Sequence, residues 1–136
     1  MTRTSTDRVL RTSVIVYALA SLAHHVHNAE NLSAYPNMPG WLTRVTVYAA
    51  WAAVTAVGLG GYALVRAARE RIGFALLALY AALGWYGLAH YVVAPFAAHS
   101  AAMNVSILLE AFAATVLAAV VAARLFAQFR VIDSPK

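Results

Sequence analysis

Three of the chain's five histidines and one of its five acidic residues stand together in His24-His25-Val26-His27-Asn28-Ala29-Glu30-Asn31. The run closes an apolar segment, where an ionisable group is costly to keep and calls for a partner or a task. Imidazole and carboxylate ligands without thiolate suit iron, zinc, copper or manganese. The same groups exchange protons, and a buried carboxyl beside a histidine makes an acid–base pair for a lipid-soluble substrate. A b-type haem held by two histidines is the third and lesser option. With no cysteine in the chain, thiolate ligands, iron–sulfur clusters, disulfides and cysteine nucleophiles are excluded.

Spacing narrows the set. His24, His27 and Glu30 follow i, i+3, i+6, drifting about 60° per step on a helix, so they share one broad face. Tyr17, Ser21, His24 and Asn28 form a second, overlapping polar stripe. His25 points roughly 100° away from His24 and is expected to stay out of the site. Far along the sequence, Glu110 interrupts an otherwise apolar run, with Ser106 one turn before it. His90 closes another such run with Tyr86 stacked at i−4, and His99 follows in a loop. The expected metal ligands are His24, His27, Glu30, His90 and Glu110. Without a metal, Glu110 with His27 and His90 would carry the proton transfers. Trp51, Tyr80 and Trp85 are read as packing.

The elements that must position these groups are membrane spans. Of the 136 residues, 62 % are hydrophobic and 11 % charged. Soluble domains average about 45–50 % apolar and about 25 % charged, so this composition belongs in lipid. Mean hydropathy is +0.69. Four apolar segments emerge, at about 12–28, 45–65, 72–93 and 102–123, in a single domain covering 1–136. A segment of about 20 residues crosses roughly 30 Å of hydrocarbon. Pro36, Pro39 and Gly40 break the chain after the first span and Pro95 after the third. Residues 1–11 read as a polar tail that frays. Short connections make an all-α, four-helix up-down bundle, and no alternating strands point to a barrel. Gly58, Gly60, Gly61, Gly84 and Gly87 are small residues of the kind that let membrane helices approach.

Charge gives the orientation. Arg3, Arg8, Arg11, Arg66, Arg69, Arg71, Arg124, Arg130 and Lys136 fall at one end and Arg44 alone at the other. The positive-inside bias then puts both termini in the cytoplasm of a multi-pass plasma-membrane protein. The net charge of +5 is spread over these short flanks, a pattern of topology and not of nucleic-acid binding. His24 stands 13 residues above Arg11 and Glu110 14 residues before Arg124, which sets both roughly 20 Å above the inner boundary. No small-x-small cleavage site follows the first apolar run, so that segment is expected to stay in the protein. Tyr35, Trp41, Tyr91 and Phe96 suit the outer interface.

His27-Asn28-Ala29-Glu30-Asn31, ending a first span and followed by Pro36, Pro39 and Trp41, resembles the small bacterial four-span proteins named for an HXXEE motif. Asn31 stands where the second glutamate of that motif belongs. The resemblance implies the four-span layout and carries no activity. The residues themselves point to a small integral-membrane enzyme with a His/Glu site in the outer half of the bilayer, acting on a hydrophobic small molecule. The alternative is a metal- or haem-binding accessory subunit. Membrane lipid surrounds either, as a homo-oligomer or within a larger membrane complex.

Overall fold

The computed structural model describes the backbone of residues 3–132 and the side chains of residues 7–127. Arg3, Arg130 and Lys136, which enter the charge reading above, lie outside the described side chains. The described chain is helical and contains no strand. Helix α1 covers Arg3–Glu30, α2 Arg44–Arg66, α3 Glu70–Gly84, α4 His90–Val93 and α5 Ala101–Ile132. Four stretches are long and apolar enough to cross a membrane: Asp7–Glu30, Arg44–Arg66, Glu70–Val93 and Ala101–Ala127. They run alternately up and down, each packing on the next, and α5 closes the ring on α1.

Two ends differ from the sequence reading. α1 begins at Arg3, not near Thr12, because Leu10 and Val14 are buried in the bundle core together with Leu117 and Val121 of α5. That contact gives the supposed tail an apolar face worth folding for. An Asp7–Arg124 ion pair of 3.2 Å ties the same ends together. At the opposite end, α2 starts from a capping box in which Thr43 and Thr46 satisfy each other's backbone amides.

The core between the helices is lined by Tyr17, Tyr80, Leu77, Ala81, Ala114 and Leu117. Tyr17 and Tyr80 lie ring against ring at 4.3 Å. Gly58 of α2 makes room for this stack, since a β-carbon there would overlap the Tyr80 ring. Gly61 and Gly73 let α2 and α3 meet backbone to backbone: a β-carbon on Gly61 would sit 3.0 Å from the Gly73 carbonyl oxygen. Gly60, expected to do the same work, faces open space and packs against nothing.

The third span is not one helix. After Gly84 the chain tightens into a five-residue 3-10 segment, Trp85–Ala89, before α4. Three residues per turn advance the chain about 120° per residue where an α-helix advances about 100°, so the angular phase is lost within one turn. The expected stacking of Tyr86 on His90 fails for this reason. Tyr86 is 79 % exposed while His90 is buried.

Candidate functional site

Helices α1, α2 and α5 and the 3-10 segment enclose a cavity of about 340 Å³. That lies within the range of small-molecule sites. Its walls are apolar, with Val47, Ala50 and Val54 from α2, and Leu83 and Val93 from the third span. The loop after α1 roofs it with Met38, Pro39 and Trp41. Its polar surface comes from His24, His25, Asn28, His90 and Glu110.

The Glu110 carboxyl is 3 % exposed and holds the centre of this surface. His24 Nε2 stands 3.8 Å from Glu110 Oε2, and His25 Nδ1 stands 3.9 Å from Oε1. Neither distance is a hydrogen bond, and both imidazoles border the cavity beside the carboxyl. Gly87 leaves the carboxyl uncovered, because a β-carbon there would lie 3.1 Å from Oε2 and 3.9 Å from His24 Nε2. The 3-10 winding brings this glycine to the pocket in the middle of the third span.

Hydrogen bonding fixes where the protons are. Ser106 Oγ donates to the Met103 carbonyl at 2.9 Å, which commits its only proton. Its contact with His24 Nδ1 at 3.4 Å therefore needs the proton on the ring nitrogen. His24 then turns Nε2 toward Glu110, 3.8 Å away. His25 Nδ1 donates to the Ser21 carbonyl at 2.8 Å, one turn back along α1.

His25 thus joins the site, against the expectation from the helical wheel. Its side chain folds back over the preceding turn, as helical side chains do, and reaches the carboxyl from the flank. Asn28, placed on the second polar stripe, reaches the pocket too, with Nδ2 3.4 Å from His90 Nε2. Of the expected ligand set, His24, His90 and Glu110 converge. His24 and His90 rings are 5.5 Å apart, edge to face.

His27 and Glu30 do not line the cavity. His27 Nδ1 shares a 2.9 Å hydrogen bond with the Tyr35 hydroxyl. Tyr35 is buried in the protein, its ring tilted against His90 at 5.0 Å and edge-on to His99 at 6.4 Å. Burial pushes its phenol pKa up, which keeps it a neutral donor. His99 is buried as well, bonded through Nδ1 to the Pro95 carbonyl at 3.1 Å. Glu30 turns outward to Arg44 at 3.0 Å and accepts from Tyr48 at 2.9 Å. An exposed pair of this kind contributes under about 1 kcal/mol. Glu30→Gln is expected to lower stability by no more than that, with ligand affinity unchanged within about twofold, measured by thermal melts with and without ligand.

Among the described residues, no three His, Asp or Glu side chains are arranged to hold a metal ion. The HXXEE-like run thus serves two places: His27 braces the roof of the pocket, and Glu30 clasps α2. No family model, curated protein or solved structure matches this chain.

Proposed function

We propose that this chain is a small plasma-membrane protein, both termini cytoplasmic, whose outer-half pocket binds a hydrophobic molecule and moves a proton on it. The observation that carries this reading is the Glu110–His24 pair, facing across 3.8 Å inside an apolar cavity. The apolar walls would hold the body of the substrate, and the polar surface would hold a single oxygen-bearing end. Glu110 takes a proton from a carbon next to that end. The electron pair moves onto the oxygen, which a neighbouring N–H of His24 or Asn28 supports. Return of the proton to the same carbon gives exchange, and return to another carbon gives isomerisation. The apolar walls strengthen each of these interactions.

The test uses a lipophilic cyclic ketone and purified protein in deuterated detergent solution. Deuterium should enter beside the carbonyl faster with wild-type protein than with detergent alone. Gly87→Val, which puts a side chain over the carboxyl, should weaken ketone binding about tenfold or more, read as a lost thermal shift. A wild-type protein that neither binds nor exchanges any of a panel of ketones, alcohols and alkenes would overturn the reading.

A transition-metal centre is the second reading, favoured by His24 Nε2 and His25 Nδ1 each lying within 4 Å of the Glu110 carboxyl. It requires rotation of the imidazoles toward a shared point. Metal analysis of the purified protein decides, and its optical spectrum reads the haem option. About one equivalent of iron, zinc, copper or manganese, lost in Glu110→Gln, would replace metal-free proton transfer.

A further inference from the structure

The amide of Asn28 is left half satisfied in the wall of the pocket. Asn28 lies in the last turn of α1, is 7 % exposed, and lines the cavity beside His24, His90 and Glu110. Its Nδ2 donates to His90 Nε2 at 3.4 Å. Its Oδ1 is buried and has no hydrogen-bond partner among the described residues. A buried acceptor with no proton to accept is destabilising in any interior, and in hydrocarbon no bulk water repairs it.

The groups around it have no proton to give. The amides of α1 bond within the helix. His24 commits its Nδ1 hydrogen toward Ser106, and His25 its own to the Ser21 carbonyl. His90 Nε2, which accepts from Asn28 Nδ2, presents a lone pair. What the amide does border is a cavity of about 340 Å³ walled by Val47, Ala50, Val54 and Leu83. A molecule in that cavity must bring the hydrogen itself. Ketones, ethers and alkenes bring none. An ammonium brings several, together with a charge that is expensive to carry between apolar walls. A neutral hydroxyl on an apolar body meets both conditions.

We propose that the pocket selects a hydroxyl-bearing lipophile, whose O–H donates to Asn28 Oδ1 while its apolar body lies against α2 and the third span. Asn28 then sets specificity, because an analogue without the hydroxyl leaves the amide oxygen unpaired. The assignment deepens the proposed function and rests on its binding half alone, that the cavity holds a hydrophobic molecule. It makes no use of proton transfer at Glu110. A substrate for that transfer would accordingly carry a hydroxyl besides its carbonyl.

The experiment titrates the purified protein in detergent with menthol, menthone and menthyl methyl ether, which share one carbon skeleton and of which only the alcohol has a proton to donate. Affinities are expressed against the concentration dissolved in the micelles. Wild-type protein should hold menthol about tenfold more tightly than either companion, the scale expected for pairing a buried acceptor. In Asn28→Leu, which keeps the branched shape and loses the acceptor, that preference should fall to about twofold or less. If Asn28 serves only to steady the His90 ring, all three ligands bind the wild type alike and weaken together in the variant, and that pattern overturns the proposal. Should Asn28→Leu not fold, the wild-type ratio decides alone. Equal binding of all three removes the hydroxyl requirement and leaves the pocket reading standing, whereas binding of none removes both. Menthol selectivity without any deuterium exchange removes only the proton transfer.

Discussion

Glu110→Gln is expected to cut proton exchange on a bound ketone by at least about 100-fold while the protein still folds and still binds the ketone. Gln keeps the size of the side chain and its hydrogen-bonding oxygen but has no proton to trade. His24→Ala should cost a similar factor, because His24 faces Glu110 across 3.8 Å and is its partner in the proposed proton transfer. The double variant should then be little worse than either single one, the non-additivity expected of groups that act as a unit. The exchange assay, run beside thermal melts of all three variants, checks this. Full exchange activity in Glu110→Gln would remove the carboxyl from the chemistry.

The second large effect is on stability. Gly58→Val is expected to destabilise the bundle by about 3 kcal/mol, roughly a 100-fold loss in the folded-to-unfolded ratio. A β-carbon at this position would overlap the Tyr80 ring, which is itself wedged against Tyr17. The ring cannot yield without unseating Tyr17 and, with it, the packing beside Gly84 and Ala114. Gly60→Val, two residues away and facing open space, should change stability by less than about 0.5 kcal/mol. Reversible unfolding in mixed detergent measures both. If Tyr80→Leu in the Gly58→Val background restores part of the loss, the clash is with the ring.

Much of the fold was legible from composition and spacing because lipid imposes strong rules. An apolar run of about 20 residues has few alternatives to a spanning helix, and short loops force antiparallel neighbours. Counting residues up each helix puts His24, His90 and Glu110 near one level, and the three line one cavity. Azimuth was harder. A helical wheel grouped Glu30 with His24, yet Glu30 had a nearer opportunity in Arg44 across the first loop. It set His25 aside because the wheel tracks the Cβ direction and not the rotamer that lays the ring over the preceding turn. Tyr35 sat in a stretch rich in loop signals, and nothing in its spacing said it would turn inward against His90. The 3-10 segment had one available clue, the Gly84 and Gly87 pair, but glycines that close-pack helices look the same in a sequence.

The lower half of the bundle, where Leu10, Val14, Phe74, Leu77, Leu117 and Val121 fill the space between helices, has a consequence for bioenergetics. A site that trades protons inside a coupling membrane risks becoming a leak that dissipates the proton-motive force. Under the proposed function, the leucine, valine and phenylalanine packing separates the arginine-rich end from the pocket, and the proton transfer would equilibrate with the pH of one compartment alone. On that reading Leu77→Asn, a polar side chain in this packing, is expected to raise proton leakage in proteoliposomes above that of the wild type.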